Sequence, residues 1–280
     1  MQQLLLIWDY GKAMSHLCDK VAALCPSPSH VTLVAFVNQQ IEEQFGHQDT
    51  VALQQQMQRT LERLPTLAAS YRLEIVHSAD MTSWVSQHLA NHACDLVAKV
   101  GHRTEQWFYT PTDWQLIRSI HTPLLLTASN PGRSQSHVVA AVDLLNPHHS
   151  QQQLNQKVAK YSAEAATQLG AELHMAQVIA VSEILRDLDV RDPQSVLTRQ
   201  GPEVLAQLQQ WLKQQQLTTV KPVVLAGVVE QELQHVCQNL HPSLVVLGSI
   251  GREGVAGALI GNTAERILQH LRADVLVIKP

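Results

Sequence analysis

Apolar positions in this chain gather in short runs bounded by polar or turn-forming residues, and longer segments with apolar residues at helical spacing lie between the runs. Leu4-Leu5-Leu6-Ile7-Trp8-Asp9 reads as a strand buried on both faces and ending in a carboxylate. A helix follows around Lys12 to Leu24, then a strand from His30 to Val37. The Gln-rich stretch from Asp49 to about Ser70 places Val51, Leu53, Met57, Leu61 and Leu64 near helical spacing, and Leu73 to Val76 returns as strand. A helix at Thr82 to His92, a strand at Asp95 to Val100, a helix at Pro111 to Ser119 and a strand at Pro123 to Thr127 complete a first series.

The pattern then starts again. Residues 129–136 carry the Pro, Gly and Ser of a linker, and Val138 to Asp143 answers Leu4 to Asp9. Glu172 to Ile179, Val223 to Ala226, Leu244 to Leu247 and Val275 to Ile278 supply the remaining strands. Strands alternating with helices across short loops imply parallel strands with right-handed crossovers. The sequence therefore predicts an α/β protein of two tandem, doubly wound, parallel five-stranded sheets, one domain over 1–128 and one over 137–280, joined by the linker.

One stretch of the second half carries candidate chemistry. Between the strand at Leu244 to Leu247 and a helix opening at Ala264-Glu265-Arg266-Ile267-Leu268, residues 248–263 hold Gly248, Gly251, Gly254, Gly257 and Gly261. A glycine-rich loop entering a helix offers bare backbone N–H groups beside the positive end of the helix, and a phosphate can approach without meeting a Cβ. Two known templates fail. Gly257 and Gly261 enclose three residues, with Asn262 where a P-loop needs Lys, and the Gly248 to Gly251 spacing is too wide for a dinucleotide fingerprint.

Asp143 ends the first strand of the second half, and the loop follows its fourth. In a sheet of order 3-2-1-4-5 these two strands flank the point where strand order reverses, and ligands bind there outside the carboxyl ends. Asp143 and the loop therefore converge on one crevice, although Asp143 also fits a plain turn or cap residue. Asn262 likewise suits an N-cap, with Glu265 three residues on completing a capping box. Arg252 stands beside the loop, within reach of a phosphate or simply solvated.

The spacing Gly248, two residues, Gly251, nine residues, Gly261 resembles the nucleotide loop of the universal stress protein family. The Gly-Asn-Thr-Ala-Glu segment from Gly261 and the Phe-Tyr-Thr-Pro-Thr-Asp-Trp segment from Phe108 are similar to its tandem-domain branch. The family pattern has Ser or Thr after the last glycine; here Asn262 stands there and the hydroxyl arrives at Thr263. The resemblance implies an adenine nucleotide, with ATP the first candidate. Asp143 would lie at its adenine and ribose end, and Gly248, Ser249, Gly251, Arg252, Gly261, Asn262 and Thr263 would hold its phosphates. It further implies a cytoplasmic stress-response or signalling protein with at most slow ATP hydrolysis. No metal is expected beyond a magnesium ion carried by the nucleotide. Family members commonly dimerise through their last strands, which implies an intrachain pseudo-dimer through Leu124 to Thr127 and Val275 to Ile278, with a homodimer or another protein partner beyond it.

The first half keeps Asp9 but not the loop. Where the glycines should stand, only Gly101 survives, and Trp107, Phe108, Tyr109 and Trp114 crowd the segment in a chain with 4% aromatic residues. These rings either pack in the core or present a partner-binding patch, and in both cases the first half is a degenerate copy with no phosphate site.

Composition narrows the partners. With 20 Lys and Arg against 24 Asp and Glu, the formal charge is −4, and no basic run points to nucleic acid or an anionic membrane. No apolar stretch reaches membrane-spanning length, and the start lacks a signal peptide's basic region, which predicts a cytoplasmic protein. Cys18, Cys25, Cys94 and Cys237 show no paired spacing and read as reduced, mostly buried thiols. His88 and His92 have the one-turn spacing of metal ligands but no third ligand in register, so they read as exposed polar side chains. No Ser-His-Asp or paired-carboxylate grouping announces an enzyme. The competing reading of the same cleft is a scaffold or carrier for an apolar ligand or a protein, motivated by Asn262 and by Val255, Ala256, Ala258, Leu259 and Ile260.

Overall fold

The computed structural model describes residues 2–8, 14–37, 42–43, 50–62, 70–101, 111–128, 135–181, 192–250 and 273–280. The chain divides into two compact units, Met1–Pro131 and Gly132–Pro280. In the first, β1 (Gln3–Trp8), α1 (Ser15–Leu24), β2 (His30–Val37), α2 (Thr50–Leu61), β3 (Ser70–His77), α3 (Met81–Asn91), β4 (Leu96–Val100), α4 (Pro111–Ser119) and β5 (Leu124–Thr127) follow in order. Its strands are parallel in the order β3-β2-β1-β4-β5. In the second, β6 (Gln135–Val142), α5 (His149–Leu169), β7 (Glu172–Ala180), α6 (Pro193–Gln214), β8 (Lys221–Gly227), α7 (Val229–Leu240), β9 (Pro242–Gly248) and β10 (Asp274–Ile278) build the parallel order β8-β7-β6-β9-β10. Each unit thus has the expected doubly wound α/β topology, with the strand order reversing between its first and fourth strands.

The central strands are buried along nearly their whole length because helices cover both faces, which is why they read as continuous apolar runs rather than alternating ones. Strand β3 differs. It pairs with β2 alone and leaves Tyr71 half exposed, so its polar start, Ser70-Tyr71-Arg72, carries no apolar signal. The strand consequently begins at Ser70, where the sequence pattern extends a helix, and α2 ends at Leu61. Gln135 and Ser136, assigned to the linker by composition, open β6.

Helix ends follow local chemistry. Asp192 caps α6 by accepting from the backbone N–H of Ser195 at 2.8 Å, and the proline after it takes the first helical position, where no donor is needed. Asp80 caps α3 through Ser83 N–H at 3.0 Å. Gly170 closes α5 in the left-handed conformation, with φ of 58°. None of the four cysteines is in a disulfide, and burial pushes the thiols of Cys25, Cys94 and Cys237 up to about 11, 11 and 12. His88 departs from the expectation of simple exposure: it is half-buried and stacks on Trp84 and on His92, with centroids 4.9 and 4.5 Å apart, because residues one turn apart share a helix face.

Candidate functional site

A pocket of about 500 Å³ opens in the second unit at the carboxyl ends of β6 and β9. Its lining comes from β6 (Ala141, Val142) and Asp143 just after it, β7 (Ala176, Gln177, Val178) and the end of β9 (Leu247, Gly248), followed by Ser249 and Ile250. Helix α5 supplies Gln151, Leu154, Asn155 and Val158, and α7 supplies Val229 and Leu233. The pocket mixes apolar side chains such as Leu154, Val158 and Leu233 with the polar Asp143, Gln151, Asn155 and Gln177, and its size lies within the roughly 300–1,000 Å³ of small-molecule sites. Asp143, Gly248 and Ser249 all line it. Gly251, Arg252, Gly261, Asn262 and Thr263 lie outside the described residues, as does Asp9.

Asp143 is held there by side chains that the sequence pattern does not single out. Asn155 grips both backbone groups of Asp143: its Nδ2 donates to the carbonyl at 2.8 Å, and its Oδ1 accepts the N–H at 3.1 Å. The same Oδ1 accepts from Gln151 at 2.9 Å. Gln177 Oε1 accepts the N–H of Leu144 at 2.7 Å, and Gln177 Nε2 donates to Val178 O. A strand that runs out into a pocket leaves backbone groups without ladder partners, and these buried amides replace the ladder. Asn155 was legible in principle. It interrupts the buried stripe of α5, where every other member except Ser162 is Leu, Val or Ala, and a polar residue on an apolar stripe calls for a partner.

Gly248 has a packing reason to be glycine. A Cβ built on it would come within 2.6 Å of Leu154 Cδ2 and 2.7 Å of its Cγ, so the absent side chain lets α5 settle on the end of β9. Ser249 is buried, donates its N–H to Ile278 O at 2.9 Å, and accepts from Lys279 Nζ at 3.4 Å. Lys279 is itself buried, and desolvation holds its ammonium below the ordinary lysine range. A cation thus stands at the start of the glycine-rich stretch, where the sequence pattern announces none.

Register identifies the matching positions of the first unit. Gly101 donates to Thr127 O as Ser249 does to Ile278 O, and Ile7 pairs with Lys99 as Ala141 does with Leu247. Val100 therefore corresponds to Gly248, and Gly101 corresponds to Ser249 rather than to the first glycine. Ile7, Trp8 and Val34 stand where the pocket has Ala141, Val142 and Ala176. Lys99, matching Leu247, is fully buried and forms an ion pair with Asp113 of α4 at 2.9 Å while donating to Val100 O.

Similarity to known proteins extends beyond the glycine spacing. Residues 136–279 match the profile of the Universal stress protein family. The chain belongs to the universal stress protein family. Universal stress protein E of Escherichia coli K12 is 32% identical over 207 residues, which are 70% of this chain and 64% of that protein. The chain thus spans less than two thirds of that relative's length. The Universal stress protein E homolog of Haemophilus influenzae is 24% identical over 222 residues, covering 74% of this chain and 69% of that one. Among solved structures, a functionally unknown protein from Pseudomonas aeruginosa PAO1 superposes with a TM-score of 0.74 at 20% identity, covering 100% of this chain and 93% of the other. A universal stress protein from Archaeoglobus fulgidus gives 0.62 at 11% identity, covering 99% and 98%. At such identities the two structures speak for the fold alone. Among the described residues, no helix is long and apolar enough to cross a membrane.

Proposed function

We propose that this family member binds an adenine nucleotide, ATP or a close relative, in the pocket of its second unit and acts in the cytoplasm as a stress-response or signalling protein rather than as a catalyst. The observation that carries the reading is the meeting of Asp143 with Gly248 and Ser249 around one apolar pocket at the strand-order switch point. The apolar floor takes the base, and the Asp143 carboxylate accepts from ribose hydroxyls. The glycine-rich residues from Gly248 to Thr263 take the phosphates, with Ser249, Gly251, Arg252, Gly261, Asn262 and Thr263 as the contacts. Lys279 beside Ser249 adds a positive charge at that end. In this reading the carboxylate that lines the pocket, Asp143, is committed to the ribose end rather than to the phosphates, so hydrolysis is at most slow.

A second reading has its own observation. Leu154, Val158, Val178, Leu233 and Leu247 give the pocket a depth that suits an apolar ligand, as a carrier would need. Mass spectrometry on gently purified protein separates the two. A co-purifying adenine nucleotide supports the first reading; a lipid in the pocket with no nucleotide would replace it with the second.

A further inference from the structure

At the opposite end of the second sheet, three ligand-type side chains converge. His137 lies near the start of β6, and Glu172 and His174 lie on β7, with Glu172 in register with His137 and His174 two residues on, on the same face. His174 Nε2 is 3.0 Å from Glu172 Oε2 and 3.3 Å from His137 Nδ1, and His137 Nδ1 is 3.7 Å from the same Oε2. We propose that His137, Glu172 and His174 form a binding site for a divalent transition-metal ion of zinc type.

Geometry carries the proposal. Ligand atoms bound at about 2.0–2.2 Å to a tetrahedral ion lie about 3.3–3.6 Å from one another, so the three separations of 3.0, 3.3 and 3.7 Å are within about 0.3 Å of one face of such a tetrahedron. The imidazoles meet at 79° with centroids 5.1 Å apart, an edge-on arrangement that turns a nitrogen of each toward the other instead of stacking the rings. Two imidazoles and a carboxylate are a donor set suited to zinc and its neighbours rather than to magnesium or calcium. Glu172 is oriented from behind. Its Oε1 pairs with Lys221 at the start of β8, which leaves Oε2 to the histidines, the kind of outer support that orients a metal-binding carboxylate. All three ligands sit on paired strands, so the site is built before an ion arrives. The side chains are 22%, 37% and 9% exposed for His137, Glu172 and His174, which buries one histidine and leaves an open side for water as a fourth ligand.

Among the described residues of the first unit, the corresponding positions hold no such set. Gln3, His30 and Thr32 take the three positions, and the His30 nitrogens are engaged by Ser70 at 2.7 Å and Thr32 at 3.3 Å. The metal site therefore belongs to the second unit, at the amino ends of its strands, away from the nucleotide pocket at their carboxyl ends. No Cys or His spacing motif announces it, because the ligands come from two strands separated by the whole of α5 and meet only through sheet register.

The test uses the full chain stripped with a chelator and kept reduced, titrated with Zn2+ by calorimetry and with Co2+ by visible absorption. One equivalent should bind ahead of any weaker surface histidines, giving a tetrahedral cobalt spectrum without a thiolate charge-transfer band. His174→Ala should weaken that equivalent by at least about a hundredfold and Glu172→Gln by at least about tenfold, while His88→Ala changes nothing. Should His174→Ala fold poorly, His137→Gln, which installs the residue of the first unit at a partly exposed position, carries the same expected loss. Unchanged zinc affinity in a folded His137→Gln or His174→Ala protein, or a native chain that binds no zinc equivalent tighter than its His137→Gln variant, would overturn the proposal.

Discussion

The two units share strand order and register yet differ wherever β1 and β4, or their counterparts β6 and β9, approach the switch point. Ala141, Val142, Ala176 and Gly248 in the second unit correspond to Ile7, Trp8, Val34 and Val100 in the first. Each of these changes adds carbon, and Lys99 with Asp113 adds a buried ion pair where the second unit has Leu247. A doubly wound sheet makes a crevice by topology, but whether the crevice is empty is decided by a handful of small residues. In the first unit Ile7, Trp8, Val34 and Val100 are buried at these positions, whereas in the second unit the corresponding positions border a pocket of about 500 Å³.

The ion pair is the most severe place to break the comparison. Lys99→Ala removes the ammonium that faces the buried Asp113 carboxylate and should cost about 3–5 kcal/mol, measured by urea unfolding. Replacing both by apolar residues of similar volume should be neutral or stabilising, since the desolvation cost then disappears along with the attraction. A loss of under about 1 kcal/mol in Lys99→Ala would show that the pair does not hold the first unit's core.

Converting the pocket toward the first unit comes next. Gly248→Val puts a side chain into Leu154, and overpacking of this kind costs about 1–3 kcal/mol. Ala141→Ile and Ala176→Val fill the floor. The triple variant should keep its fold by circular dichroism and lose nucleotide binding by at least about a hundredfold. Asn155→Ala reaches the same site by another route: it strips Asp143 of both backbone partners, costing about 1–3 kcal/mol and weakening nucleotide binding without filling any space.

How much of this could be read from the chain follows from where the signal lives. Buried parallel strands announce themselves as apolar runs, so β1, β2, β6, β9 and β10 were legible. The start of β3 was not, because a strand with one neighbour keeps polar residues such as Arg72 beside Tyr71. The equivalence of Val100 with Gly248 was hidden for a different reason: Gly101 sits one place away, and strand register with the hydrogen bonds to Thr127 and Ile278 fixes the offset. Asn155, Gln177 and Lys279 are ordinary polar residues in sequence and acquire meaning from the backbone groups or loop they meet.

The smallest expected effect lies at the amino ends of the same strands. Asp95 accepts from the backbone N–H groups of Gln2 and Gln3 at 2.6 and 3.0 Å, and these bonds hold its carboxyl below the usual aspartate range. The corresponding Ser243 of the second unit donates instead to His137 O at 3.2 Å and does not titrate in acid. Because the folded carboxyl is the stronger acid, its contribution is present above the unfolded aspartate's pKa of about 3.9 and is lost as pH falls through the lower folded value. Asp95 is exposed, so the loss is below about 1 kcal/mol. Hydrogen exchange below about pH 4 should show earlier loosening at the start of β1 than at the start of β6, and Asp95→Asn should abolish the difference.

The central claim is that the nucleotide site resides in the second unit alone, and titration calorimetry on ligand-free protein tests it most directly. ATP should bind with a stoichiometry close to one per chain, be lost in the paired Gly251→Val and Gly261→Val variant, and persist unchanged in Asp9→Ala. Two equivalent sites per chain, or full binding in the paired glycine variant, would contradict it.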